Sequence, residues 1–163
     1  MTMEIVGIKE IYDKPITKEQ RLIAFKLNNE LVGVDITDVV KITKTTDITP
    51  VPKTPDHVLG VMNLRGNIIP VVTLKKKLGL NDTGGNIEEK IIVVVDTDLG
   101  YIGCLVDQID GAIMINSEEI LPPPMNSIGI DPEFIKGVVM VEKNGNKELL
   151  IILDITKIFK NEE

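Results

Sequence analysis

Few residues in this chain could carry out covalent chemistry. His57 and Cys104 are the only residues of their kinds, and the two serines are Ser117 and Ser127. A hydrolytic site needs a nucleophile, a base and a group that orients the base, all in contact. His57 follows Pro55 in PDHVLGVM (55–62), a loop leading into a strand, and packing is the better account of it. Cys104 lies in the apolar run YIGCLV (101–106) and reads as a small buried residue. A single cysteine offers neither a disulfide framework nor a multi-cysteine metal site. Asp96 and Asp98 invite a cation, but they sit in a hairpin break where aspartates stabilise turns, and the full calcium-loop pattern is absent. TGGN (83–86) has neither the lysine nor the spacing of a phosphate-binding loop. These residue types point away from catalysis, metals and cofactors, and toward binding.

Charge narrows the partners. The 163 residues carry a formal net charge of −7. Phosphate binding needs a basic surface and base stacking needs aromatics, so nucleic acid is excluded. Only Tyr12, Phe25, Tyr101, Phe134 and Phe159 are aromatic. No stretch approaches the roughly 18–20 apolar residues of a membrane span. The opening MTMEIVGIKEIYDKP carries acids throughout and lacks the basic n-region of a secretory signal. Residues 1–18 are expected to form an N-terminal arm on a cytoplasmic protein that does not insert into the membrane.

The apolar residues are mostly Ile, Val and Leu, which favour strands. RLIAFKL (21–27) breaks at Asn28-Asn29 and resumes as LVGVDI (31–36). IIVVV (91–95) breaks around Asp96–Gly100 and resumes as YIGCLV. GVVMVEK (137–143) breaks at Asn144-Gly145 and resumes as LLIIL (149–153). Asn-Gly suits a type I′ turn, which needs φ > 0 at both central residues. The class is all-β.

An internal repeat orders these hairpins. PDHVLGVM (55–62) aligns with PEFIKGVV (132–139), and ITPVP (48–52) with ILPPP (120–124). LVGVDITDV (31–39) aligns with YIGCLVDQI (101–109), Gly33 falling on Gly103, and TLKKKL (73–78) with DITKIF (154–159). Thr73 and Asp154 are candidate N-caps of short helices with apolar i,i+4 pairs Leu74/Leu78 and Ile155/Phe159. Lys75, Lys76 and Lys77 would form the wet face of the first helix. Pro122, Pro123 and Pro124 would stiffen the crossover. The predicted organisation is two related lobes, about 20–82 and 88–160, each a hairpin, a strand, a Pro-rich crossover, a hairpin and a short helix. Barrel closure would remove the exposed edges of such strands.

The repeat places GVMNLRGNIIPVVTL (60–74) as the second hairpin of the first lobe. Gly66 supplies the φ > 0 turn position, flanked by Arg65 and Asn67. Pro70 lacks a donor and belongs at an edge or bulge. Spacing alone leaves Arg65 as either a solvated turn residue or a functional one.

This stretch resembles the signature of the CheW family of chemotaxis coupling proteins, approximately G-V-x-N-L-R-G-x-x-x-P-V-x-x-L. Asn63, Leu64, Arg65, Gly66, Pro70 and Val71 fall on it, and the likeness extends over roughly 20–160 through ITPVPKTPDHVLG, IGCLVDQIDG, FIKGVVMV and LLIILDITKIF. The resemblance implies a CheW-like domain over 19–160 built as two SH3-like five-stranded β-barrels packed side by side, with short helices after each lobe. It implies a non-catalytic adaptor linking the cytoplasmic hairpin tip of a chemoreceptor, a methyl-accepting chemotaxis protein, to the regulatory domain of the histidine kinase CheA in membrane-associated arrays. The receptor would lie in an apolar groove lined by Ile23, Ile36, Val39 and Val106, near the signature arginine Arg65. Relatives often carry a glutamate where this chain has Lys41, so Asp35 or Asp38 is the expected partner of Arg65. CheV-like proteins share the domain but add a receiver domain, and the expectation here is the single CheW-like domain. The alternative is a regulatory protein that binds a small ligand in the interlobe groove.

Overall fold

The structure, a computed structural model, describes residues 18–82, 85–123 and 129–160. Residues 1–17 of the N-terminal arm, Thr83 and Gly84 of TGGN, Pro124 and Ser127 therefore lie outside the described residues.

Ten strands account for most of the described chain. They are β1 (Glu19–Leu27), β2 (Glu30–Asp35), β3 (Val39–Lys44), β4 (Val58–Leu64), β5 (Asn67–Thr73), β6 (Ile91–Thr97), β7 (Gly100–Val106), β8 (Gln108–Asn116), β9 (Ile135–Lys143) and β10 (Asn146–Leu153). Two one-turn helices follow the second hairpin of each half, α1 (Leu74–Lys77) and α2 (Ile155–Ile158). The all-β expectation holds, and so do the three hairpins read from turn residues.

The strands form two five-stranded sheets, in the orders β8-β1-β2-β10-β9 and β3-β6-β7-β5-β4. The sheets do not follow the sequential halves expected as lobes. Each draws strands from both halves, because the first hairpin of each half pairs with the second hairpin of the other. Replacing every strand by its repeat counterpart turns one order into the other, so the repeat is carried by the fold as a two-fold exchange. Register agrees. Gly33 pairs with Ile152 in one parallel ladder and Gly103 with Val71 in the other, matching positions of the repeat. Thr73 N–H donates to His57 O at 2.7 Å, and Asp154 N–H to Phe134 O at 2.8 Å.

The continuous apolar runs have a physical reason. In β1, Leu22 and Ala24 face the core of their own sheet, while Ile23, Phe25 and Leu27 face a central cluster shared by the two sheets. In β6, Ile92 and Val94 face inward and Val93 and Val95 face that same cluster. Strands buried on both faces lose the polar alternation of a half-wet strand. The central cluster also takes Leu74, Leu78, Ile155 and Phe159, so both i,i+4 pairs are buried as expected.

Several local expectations need correction. Asp154 caps α2 by accepting from Lys157 N–H at 3.2 Å, but the Thr73 side chain makes no capping bond. Lys75 is not on a wet face: its side chain is 2% exposed and ion-paired. The helix is too short for periodicity to decide which side is wet. In the β6–β7 turn it is Thr97, not the aspartates, whose hydroxyl accepts from Leu99 N–H and donates to Gly100 O.

Candidate functional site

Among the described residues no group of three or more His, Cys, Asp or Glu side chains could hold a metal. Cys104 is buried in the central cluster, and burial pushes its thiol up to about 12, so it is no nucleophile at neutral pH. His57 is half-buried, and burial followed by the nearby Lys77 charge lowers its pKa, with Asp56 opposing.

The signature hairpin is built by its own residues. Asn63 Oδ1 accepts from Gly66 N–H at 2.8 Å, closing the turn between β4 and β5. Arg65 and Gly66 both have positive φ, 53° and 88°, matching Asn144 and Gly145 at 52° and 83° in the β9–β10 turn. Both are the type I′ pattern. Arg65 itself is therefore left-handed, beyond the expectation for Gly66 alone. Leu64 is the buried anchor of the hairpin, and Arg65, Gly66 and Asn63 are exposed.

Pro70 lies in β5, which has neighbours on both sides, yet its missing donor leaves no gap. Its cross-strand neighbour Val61 exchanges both backbone bonds with Thr49, and the ladder from β5 to β7 starts only at Val71. Pro70 thus falls where β5 has no hydrogen-bonded partner to lose.

Arg65 is exposed at a depression of about 200 Å³ that it shares with Val40, Lys41, Leu64, Asn67 and Tyr101. Two cations against apolar walls characterise this spot, on a chain whose net charge is negative. The Asp35 carboxylate expected as a partner is engaged elsewhere, accepting from Thr37 N–H at 2.9 Å, Thr37 Oγ1 at 2.7 Å and Gln20 Nε2 at 3.1 Å. Burial pushes the Asp35 pKa up, but those hydrogen bonds and the Lys136 charge leave it below the ordinary value. Asp38 is raised, by burial and then by the charge of Asp35.

The four groove candidates gather at one cluster. Ile36 and Val39 are half-buried and pack against the central cluster where β2 passes into β3. Ile23 at 8% exposure and Val106 at 0% belong to that cluster itself. They are core residues beneath a surface rather than surface residues.

Sequence reasoning missed a larger groove of about 870 Å³ between β8 and β9, the two edges of the first sheet. Ile113 and Val141 line it with Met114 and Met140, both 49% exposed, and the Lys143–Asp110 ion pair bridges the edges. In the sequence, residues 112–115 are a continuous apolar run, AIMI, which does not say which face is wet.

Comparisons with known proteins agree with this architecture. The family model for the CheW-like domain matches residues 21–163. The chain is 34% identical over 146 residues to chemotaxis protein CheW of Treponema pallidum, covering 88% of this chain and 84% of that one. It is 33% identical over 143 residues to chemotaxis protein CheW of Thermotoga maritima, covering 88% and 89%. The crystal structure of scaffolding protein TtCheW from Thermoanaerobacter tengcongensis matches with a TM-score of 0.76 at 33% identity, covering 87% of this chain and 93% of that one. An all-β double sheet with a strand exchange, an Asn-Leu-Arg-Gly hairpin and a family match over nearly its whole described length place this chain in the CheW family of non-catalytic chemotaxis adaptors.

Proposed function

We propose that this chemotaxis adaptor couples the cytoplasmic hairpin tip of a transmembrane chemoreceptor to the regulatory domain of the histidine kinase CheA. It would do so in the cytoplasm, at receptor arrays. The observation that carries the reading is the half-buried pair Ile36 and Val39, apolar side chains at the seam between the two sheets. Ile23 and Val106 form the floor beneath them. Arg65, Asn63, Leu64, Gly66 and Pro70 supply a rigid hairpin that presents a cation beside apolar walls, a surface suited to a partner with acidic and apolar residues. No helix among the described residues is long and apolar enough to cross a membrane, which accords with recruitment through a receptor. The small-ligand alternative would need a pocket at the seam, where the apolar central cluster lies.

Titration against a receptor tip fragment and the CheA regulatory domain, each alone and then together, tests the reading. The chain should bind both at once. Val39→Asp puts an unpaired charge on an apolar contact and should weaken receptor binding by about tenfold or more, leaving kinase binding nearly unchanged. Binding to neither partner would sink the proposal.

A further inference from the structure

The chain passes between the sheets twice. It leaves the first sheet between β2 and β3, through Ile36–Asp38, and returns between β7 and β8, through Asp107 alone. The repeat makes these crossings equivalent, with Thr37 aligned on Asp107 and Ile36 on Val106. They are dressed differently. The first carries half-buried Ile36 and Val39 beside Asp35 and Asp38, which feel the Lys136 charge without an ion pair to it, and the second is held by direct ion pairs.

Asp107 Oδ1 accepts from Lys90 Nζ at 2.6 Å and from Lys75 Nζ at 3.0 Å. Its Oδ2 accepts from Asn28 N–H at 2.6 Å, and its own N–H donates to Lys26 O at 3.1 Å. Lys75 Nζ also lies 3.3 Å from Asp82 Oδ1 and donates to Asn28 Oδ1 at 3.2 Å. Asn28 Nδ2 donates to Asn81 O at 2.9 Å. Among the described residues two cations and two carboxylates meet here, Lys75 buried and Lys90, Asp107 and Asp82 partly so. The members come from both sheets: Asn28 turns β1 into β2, Lys75 is in α1 behind β5, and Lys90 precedes β6.

Burying ion pairs is a poor way to gain stability, since apolar replacements of similar volume are often as good or better. What such a network gives is direction. Elsewhere the described residues of the two sheets share the apolar central cluster, whose attraction follows area and is indifferent to orientation. Hydrogen bonds from fixed donors to one carboxylate are not.

We propose that Asp107 and Lys75, with Lys90 and Asn28, form the joint that sets the two barrels against each other and so holds the equivalent crossing, Ile36 and Val39, in the shape its partner requires. They are positioning residues. The second half of this statement rests on the receptor-groove reading above.

Spin labels at Lys44→Cys on β3 and Lys147→Cys on β10, both exposed and on different sheets, report the setting directly. Cys104 is buried and stays unlabelled. The parent chain should give one narrow distance distribution. Asp107→Asn and Lys75→Met should broaden or shift it, and should lower receptor-fragment affinity about tenfold with kinase-domain affinity within about twofold. An unchanged distribution in folded variants overturns the joint. A broadened one with receptor affinity unchanged overturns its consequence for the groove. A broadened one in a chain whose parent binds no receptor fragment upholds the joint and removes the receptor reading. Should neither variant fold, hydrogen exchange at the Asn28 amide of the parent chain decides. Protection equal to the sheet amides supports the joint, and exchange as fast as an open loop overturns it.

Discussion

Arg65 occupies a backbone position that an arginine rarely takes. Its φ of 53° lies in the left-handed region, where a non-glycine side chain carries a strain of the order of 1 kcal/mol. Asn144 fills the same place in the other hairpin, and Asn accepts this conformation readily. Arg65→Asn should therefore stabilise the fold by about 1 kcal/mol, raising the melting temperature by roughly 2–4 °C, while weakening a partner that uses the guanidinium. A lower melting temperature would show instead that the arginine holds the hairpin through its own contacts. Cys104 makes a prediction of opposite kind. Burial raises its folded pKa to about 12 from an ordinary 9.0, so the folded state keeps a proton that the unfolded chain releases. The stability this represents is complete below pH 9 and drains away as pH rises toward 12, at up to about 1.4 kcal/mol per pH unit. Cys104→Val, which copies the repeat counterpart Val34, should remove that part of the alkaline loss. Denaturant melts of both chains between pH 8 and 11 measure the difference, and parallel curves would refute it.

At the scale of elements, the Pro-rich crossovers act as extra strands. Thr49 bridges Val61 and Leu121 bridges Val138, at matching places in the repeat. Each crossover passes so close to its strand that only glycine fits beneath it. A Cβ on Gly137 would lie 2.5 Å from Ile120 Cγ2 and 2.7 Å from Leu121 O, and one on Gly60 would lie 2.2 Å from Thr49 O. Gly137→Ala should cost about 3 kcal/mol, because backbone as well as a side chain must move, whereas Gly33→Ala, whose nearest atom is a leucine methyl at 3.3 Å, should cost far less. Equal melting midpoints would refute the crossover contact. These elements were legible because their causes are local. Turn residues announce hairpins, and the repeat set Gly60 on Gly137 before any contact was known. Lys75 was not legible. Its carboxylates, Asp82 and Asp107, come from other elements, and nothing in KKK distinguishes the buried lysine from its wet neighbours. The signature hairpin was legible as a turn, but the depth of Ile23 and Val106 was not, since an apolar run does not say which of its two buried faces lies nearer the surface.

For the molecule as a whole, the consequence lies in which strands are partners. Four ladders are hairpins within one half of the sequence: β1 with β2, β4 with β5, β6 with β7 and β9 with β10. The other four, β1 with β8, β2 with β10, β3 with β6 and β5 with β7, all join one half to the other. A strand's sequence carries its own burial but not the identity of a distant partner, which is why two sequential lobes were the natural expectation. The exchange makes a prediction the sequential reading does not share. A fragment ending at Asp82 would keep two hairpins and an unpaired β3, and isolated hairpins are marginal in water. It would also lose more than half of the central cluster, which takes Ile23 and Phe25 from one half and Val93 and Val95 from the other. Neither half, expressed alone, should give a cooperative melt. Mixing the two halves should restore both the sheet signal in circular dichroism and a single transition, slowly, because every ladder that must form between them is long-range. A cooperative transition from either half by itself would mean that its hairpins can pair with each other, and the exchanged sheets would then be one arrangement of these strands rather than the one they require.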